Sequence, residues 1–362
     1  MSRRWRWRWR WRWIVAGVGA CACACVALFI GAHALGTDVG YASTGSPASP
    51  PTTGGIQARR NLRGRRPAVP GSRPSARLIR TADHDGGRLM TVDFYSEALH
   101  REASYLIFLP AGYSPSRPLP VFYGLHGMPG RPLAFTVDAD IEPRLELLIA
   151  QGRVPPMILV FPDGRIDGRI DSDSEWANTP SGRFESYVVD VVRDVDRRFA
   201  TLPYRQDRVI AGLSAGAYGA ANVGLHQIAL FGSIQVWSGY FTETHNGVFA
   251  DATPATMAYN SPIDYVQTMR RALRQYPLRA FIYTGTDDGD RAQTPPMAEA
   301  LRAEGADAQY AIFPGGHSWD LWSPRADQML ILAGYDFEHP LASPHSRRDN
   351  ALTGAGRVSR PQ

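Results

Sequence analysis

The chain has 362 residues, 44% of them hydrophobic, enough for one large core or two smaller ones. Its formal charge of +5 is unevenly spread: the first 80 residues contribute +13, through fourteen arginines set against Asp38, and the remainder carries −8. An acidic body argues against nucleic acid as its partner, and with all three cysteines at Cys21, Cys23 and Cys25 the body has no disulfide, thiolate metal site or cysteine nucleophile.

Residues 1–13 alternate Trp with Arg, and residues 14–34 are apolar apart from His33. A basic flank followed by about 21 apolar residues can cross a bilayer core of ~30 Å, with the arginine end held in the cytoplasm and tryptophan suited to the interface. Residues 1–35 are therefore expected to act as a signal or signal-anchor helix that exports the chain to the cell envelope or the exterior. Ala32-His33-Ala34 has the small-x-small pattern of a processing site, and cleavage and retention as a membrane anchor both stay open. Residues 36–80, rich in Arg, Pro, Gly and Ser, are expected to be a disordered linker. One folded domain is expected over 81–342, followed by a disordered tail over 343–362.

Within the body, strand-like runs appear at Arg88–Tyr95 and Ser104–Leu109. Val121–Leu125 is an apolar strand running into His126-Gly127-Met128-Pro129-Gly130, and Met157–Phe161 is another, running into Pro162-Asp163-Gly164. Phe184, Val188, Val191, Val192, Val195 and Phe199 keep helical spacing, so a one-sided helix is expected there. Further strands are expected at Val209–Ala211, Gly232–Trp237, Arg279–Tyr283 and Gln309–Phe313, with a helix over Pro296–Glu304. Strands alternating with helices imply an α/β fold with a mainly parallel sheet covered on both faces. Sites in such sheets lie at the carboxyl ends of strands.

Gly212-Leu213-Ser214-Ala215-Gly216 follows the strand Val209–Ala211 and opens an alanine-rich helix. Strand, sharp turn and helix in that order describe a nucleophile elbow, with Ser214 at a strained positive φ that exposes its hydroxyl. Glycines two residues to either side remove Cβ atoms that would collide across the turn. A serine hydroxyl needs a base, and the base needs an acid to fix its tautomer; in this arrangement the chain order is Ser, acid, His. Of the five histidines after Ser214, His226 lies on the helix that leaves the elbow, and His339 and His345 fall near the tail. His317, in the glycine loop after the last strand, is the expected base, with His245 its rival. The acid is expected from the segment after Arg279–Tyr283, where Asp287, Asp288 and Asp290 are all within reach; Asp288 is preferred, three residues beyond Gly285. Two backbone N–H groups should receive the oxyanion, from Ala215 and from Met128 in the loop after the Val121–Leu125 strand.

These pieces carry a resemblance. Leu109-Pro110-Ala111-Gly112-Tyr113, Leu125-His126-Gly127, Phe184-Glu185-Ser186-Tyr187-Val188, the elbow, Trp237-Ser238-Gly239, Gly285-Thr286-Asp287-Asp288 and Gly315-Gly316-His317-Ser318-Trp319 occur in order over nearly all of residues 88 to 335. The body resembles the esterase-D-like branch of the α/β-hydrolases, which includes feruloyl esterases, ferric-siderophore esterases and bacterial mycolyltransferases. The resemblance implies the α/β-hydrolase fold over 81–342, Ser214, Asp288 and His317 as a triad, and Met128 and Ala215 as oxyanion donors. Ala215-Gly216-Ala217 departs from the methionine and paired glycines that relatives often carry, but position 215 needs only its backbone.

The expected activity is hydrolysis of a small-molecule, lipid or sugar ester through an acyl-enzyme, without cofactor or metal. Acyl transfer on the same triad, a serine peptidase and a non-catalytic envelope-binding protein are the alternatives. Trp176, Trp237 and Tyr240 are weak candidates to line the substrate pocket, whereas Trp319 and Trp322 are expected to pack the last helix onto the sheet. The loop from Asp163 to Asp173 carries four aspartates whose spacing is not that of a calcium loop, and a solvated loop is expected.

Overall fold

The computed structural model describes residues 76–81 and 86–342. Nine strands form one sheet: β1 (Arg77–Thr81), β2 (Arg88–Ser96), β3 (Arg101–Leu109), β4 (Val121–Leu125), β5 (Ile158–Pro162), β6 (Arg208–Leu213), β7 (Ser233–Trp237), β8 (Arg279–Gly285) and β9 (Asp307–Phe313). Their spatial order is β1-β2-β3-β5-β4-β6-β7-β8-β9. From β5 to β9 every pairing is parallel, while β1, β2, β3 and β5 pair antiparallel. This is the mostly parallel, helix-flanked sheet of the α/β-hydrolase fold.

The central strands read as unbroken apolar runs because both faces of the sheet are covered. Their side chains alternate between two cores. Val121, Tyr123 and Leu125 of β4 and Ile158 and Val160 of β5 join one core, with α3 (Phe184–Arg198), α4 (Ala215–His226) and α5 (Thr294–Ala303). Phe122, Leu159, Phe161, Val209 and Ala211 face the other, with α1 (Ala134–Ala139), α2 (Ile141–Ala150) and α6 (Ala326–Glu338). The one-sided helix read from valine spacing is α3, which buries Phe184, Val188, Val191, Val192 and Val195.

Register places the site. Leu125 pairs with Gly212, Leu213 and Tyr283 both pair with Trp237, and Gly285 pairs with Phe313. The loops after β4, β6, β7, β8 and β9 therefore leave one edge of the sheet side by side. The chain departs from β4 toward α1 and α2 on one face and from neighbouring β6 toward α4 on the other. That divergence opens a crevice between the two strand ends, where ligands of such sheets bind.

Two boundaries differ from expectation. β1 falls inside the stretch read as linker, because Arg-Leu-Ile-Arg extends the sheet at an edge with Leu78 and Ile79 exposed, leaving no buried face to mark it in the sequence. His339 closes the last helix rather than opening the tail: its carbonyl accepts from the Arg279 guanidinium at 3.1 Å. Among the described residues no helix is long and apolar enough to cross a membrane; the segment 1–35, most of 36–80 and the tail 343–362 lie outside them.

Backbone approaches backbone closely at the elbow. A Cβ on Gly212 would stand 2.0 Å from the Gly216 carbonyl oxygen, and one on Gly216 would stand 2.0 Å from the Leu125 carbonyl oxygen. Both obstacles are backbone, so no rotamer change relieves them. Gly216→Ala is expected to cost about 3 kcal/mol or more, read as a lower urea midpoint; an unchanged midpoint would contradict this close approach.

Candidate active site

Ser214 has φ 56° and ψ −126°, a conformation that only the surrounding structure can impose on a residue with a Cβ. Its amide donates to the Trp237 carbonyl (3.0 Å), and its own carbonyl accepts from the amides of Ala217 (2.8 Å) and Tyr218 (3.1 Å). The residue is thus fixed between β7 and the first turn of α4. Its hydroxyl is left to point out of the sheet, where Oγ donates to His317 Nε2 at 2.8 Å.

On the far side of the imidazole, His317 Nδ1 donates to Asp288 Oδ2 at 3.0 Å. Asp288 is 6% exposed, its carboxylate also accepts from the Asp290 amide (3.1 Å to Oδ1), and Ser238 beside it favours its charged form. Burial works to raise its pKa, but the hydrogen bonds from His317, Ser238 and the Asp290 amide outweigh it and hold the group down at about 2. Of the three candidate aspartates, Asp288 is the one whose carboxylate meets His317. Asp287 is exposed, and Asp290 accepts from the Gln293 side chain at 3.0 Å. His245 is exposed, and His226 is stacked on Tyr259 and Tyr265 beside Glu185.

The loop after β4 lies against the serine: a Cβ on Gly127 would stand 2.9 Å from Ser214 Cβ. His126 fastens this loop. The Gly164 amide donates to His126 Nε2 (3.1 Å), so Nδ1 carries the proton and donates to the Gly127 carbonyl (2.9 Å). The Trp176 indole N–H donates to the His126 carbonyl at 3.1 Å. Met128 follows, joined to Pro129 by a cis peptide bond. The Ala215 amide opens α4 and has no carbonyl a turn earlier to receive it. Both amides sought for the oxyanion thus belong to segments bordering Ser214.

Ser214 and His317 open into a cleft of about 440 Å³ walled by Met128, Ile170, Arg131, Trp319 and Trp322. The expected aromatic lining is corrected here. Trp176 and Trp237 are fully buried: the Trp176 ring fills the space beside Gly164 and Gly219, and Trp237 packs against Phe135 and Tyr283. Tyr240 stacks on Tyr218 with centroids 5.1 Å apart and donates its hydroxyl to Glu175. Conversely, Trp319 and Trp322 wall the cleft, and Trp322 also meets the His317 ring edge-on at 5.0 Å. Ile170 and Arg131 gave no signal in the sequence, since neither belongs to a motif.

The aspartate-rich loop neutralises itself in part: Arg165 pairs with Asp163 and Arg169 with Asp171. Among the described residues no group of three or more His, Cys, Asp or Glu side chains is arranged to hold a metal.

With the site in view, comparison with known proteins is informative. The family model described as "Putative esterase" matches residues 96–333. The chain belongs to this esterase family. An acetyl esterase of Caldicellulosiruptor saccharolyticus is 23% identical over 261 residues, covering 65% of this chain and 94% of that protein. An endo-1,4-beta-xylanase/feruloyl esterase of Xylanibacter ruminicola is 26% identical over 164 residues, 43% of this chain, but the match spans only 22% of that longer protein. Among solved structures, a ferulic acid esterase superposes with a TM-score of 0.62 at 24% identity, covering 69% of this chain and 99% of that one. The chain thus belongs to the esterase and serine-hydrolase superfamily of α/β-hydrolase fold.

A second group of carboxylates lies beside the site and behaves oppositely to Asp288. Burial pushes Glu175 up to about 8, aided by Asp173 and Glu243, and pushes Glu243 up to about 7. Asp173 is also raised by burial, and buried oxygens of Asp173 and Glu243 have no hydrogen-bond partner among the described residues. A carboxyl whose folded pKa is raised binds more protons folded than unfolded, so its contribution to stability is present at low pH and lost as pH rises through the folded pKa. Stability is therefore expected to decline between about pH 5 and pH 8, and Glu175→Gln to flatten that decline. Urea midpoints against pH check this; an equally steep decline in the variant would contradict it.

Proposed function

We propose that the protein is an exported serine esterase that hydrolyses a carboxylic ester through an acyl-enzyme. The observation that carries this reading is the unbroken relay from Ser214 Oγ to His317 Nε2 (2.8 Å) and from His317 Nδ1 to Asp288 Oδ2 (3.0 Å), at the base of an open cleft. Ser214 Oγ attacks the ester carbonyl as its proton passes to His317 Nε2. Asp288, ionised throughout, stabilises the imidazolium and holds its tautomer. The tetrahedral oxyanion is received by the Met128 and Ala215 amides, each worth ~3–4 kcal/mol in such sites. Collapse expels the alcohol, protonated by His317, and leaves an acyl-serine. Water, deprotonated by the same imidazole, then releases the acid and restores Ser214.

The Ser-His-Asp relay belongs to the chemistry of ester and acyl transfer, and a pure binding protein has no use for it. Export is supported by the arginine–tryptophan run and the apolar stretch at residues 1–34. The names of the two curated relatives put acetyl and feruloyl esters first among substrates to try.

A fluorophosphonate probe is expected to label Ser214, and labelling to disappear in Ser214→Ala; an intact wild-type protein that stays unlabelled would refute the esterase reading. On an aryl ester, Ser214→Ala or His317→Ala is expected to lower turnover on the order of 10⁶-fold. Asp288→Asn should lower it ~10⁴-fold through the wrong imidazole tautomer, while Asp287→Asn and Asp290→Asn lose far less. Wild-type turnover in Asp288→Asn would move the acid to a neighbour. For localisation, the C-terminus of the full-length chain is expected to be digested by protease added to intact spheroplasts; complete protection would contradict export.

A further inference from the structure

Ser238 follows β7, the next strand in sequence after the one that ends at Ser214, and it lies beside the relay. It is fully buried and has φ 57°, a positive value close to the φ of Ser214. Glycine would adopt that conformation at little cost, whereas a residue with a Cβ is strained there. Its amide donates to the Tyr283 carbonyl at 2.7 Å, tying the end of β7 to β8, the strand that leads to Asp288. A strained backbone alone would be satisfied better by glycine, so the serine side chain needs its own explanation.

The hydroxyl supplies one. Trp322 Nε1 donates to Ser238 Oγ at 2.9 Å. An indole N–H can only donate, so Ser238 Oγ is the acceptor in that pair and its own proton is free for another partner. The acceptor beside it is the Asp288 carboxylate, whose charged form Ser238 favours. Trp322 in turn lies edge-on to the His317 ring at 5.0 Å. Ser238, Asp288, His317 and Trp322 thus form a closed ring of contacts, with the direction of each hydrogen bond dictated by the donor inventory.

We infer that Ser238 is a positioning residue of the hydrolytic site: its hydroxyl, oriented by Trp322, fixes the Asp288 carboxylate in the plane that His317 requires. The inference rests on the esterase reading above. Ser238 touches neither substrate nor the reacting atoms and acts through Asp288. Its loss should lower the rate of the chemical step and leave substrate binding intact.

The test compares Ser238→Ala and Ser238→Gly with wild type on an aryl ester, both alone and in an Asp288→Asn background. Removing one hydrogen bond to a charged group is expected to lower kcat roughly 10- to 100-fold in both single variants, with KM within about twofold of wild type. Glycine relieves the backbone strain that alanine keeps, so the glycine variant should be the more stable of the two while losing kcat equally. In the Asp288→Asn background neither change should cost more than about twofold, because the group Ser238 positions is already disabled. A glycine variant that keeps kcat within about twofold of wild type, or losses that multiply in the Asp288→Asn background, would overturn the inference. Should one variant fail to fold, Trp322→Phe, which keeps a ring against His317 and removes the indole N–H, is expected to lower kcat in the same Asp288-dependent way; full activity there counts against the inference. The low-field proton resonance of the His317–Asp288 hydrogen bond gives a readout independent of turnover. It should be broadened or lost in Ser238→Gly, and an unchanged resonance overturns the role. A wild-type protein that neither turns over esters nor labels at Ser214 would sink the esterase reading, and the resonance would still decide what Ser238 does.

Discussion

The site depends on how closely the first turn of α4 approaches the ends of β4 and β6. Gly216 sits where any Cβ would collide with the Leu125 carbonyl, and Gly212 where one would collide with the Gly216 carbonyl. With both side chains absent, the helix starts directly off the strand, and Ser214 is left between them at φ 56°. Three backbone hydrogen bonds then hold a conformation that costs of order 1–3 kcal/mol. The same approach aims the helix N-terminus at the space above Ser214, where the positive end of the dipole favours developing negative charge. It also brings the loop after β4 against the serine, since Gly127 packs on Leu213 and Ser214. The exposed Ser214 hydroxyl, the neighbouring amides of Met128 and Ala215 and the aim of the helix dipole are thus consequences of a single steric arrangement.

Electrostatics at the site is set by burial and hydrogen-bond donors acting against each other. Asp288 and Glu243 are exposed to a similar small extent, 6% and 8%, yet the first is held at about 2 and the second pushed up to about 7. Asp288 collects donors from His317, Ser238 and the Asp290 amide, which favour its charged form. Glu243 has a buried oxygen with no partner, and its neighbours include Asp173 and Glu175, which favour its neutral form. The carboxylate that must stay ionised beside an imidazolium is therefore the one surrounded by donors. The Glu175, Glu243 and Asp173 group can lower its energy only by taking up protons.

Much of this was legible in the sequence, and the reasons differ by element. The central strands could be read because double-sided burial makes them continuous apolar runs, and α3 because its valines repeat at helical spacing. The relation of Ser214 to its partners followed from chain order and from the rule that parallel sheets gather function at carboxyl ends. Helices α1 and α2 escaped notice: α1 has only six residues, and in α2 the buried Ile141, Leu145 and Leu148 share their face with buried Glu142 and Glu146, which blurs the apolar stripe. The short helices between β7 and β8 escaped for the same reason, none exceeding six residues. β1 was hidden by its exposure at the sheet edge. Ser238 was visible in Trp237-Ser238-Gly239, but its role depends on Trp322, 84 residues later, and no local pattern reports that contact.

The aromatic residues show why composition near a motif is a poor guide to a binding surface. Trp176 was a weak candidate to line the substrate pocket as a large aromatic side chain. In the folded chain that ring is fully buried in the space left by Gly164 and Gly219, where an added Cβ would come within 2.6 Å of it. Its indole N–H reaches back to the His126 carbonyl. One buried side chain therefore touches the loop after β5, the helix that starts at the elbow and the loop that carries Met128. A bulky ring packed on both Gly164 and Gly219 ties these three segments together, since neither glycine can gain a side chain without displacing it. Part of the cleft wall is by contrast exposed, as with Ile170 on its loop and Met128, which is 47% exposed. Rigid aromatic packing holds the loops around Ser214, His317 and Asp288 in register, and the side chains free to vary in size and polarity without disturbing it are those of the exposed wall.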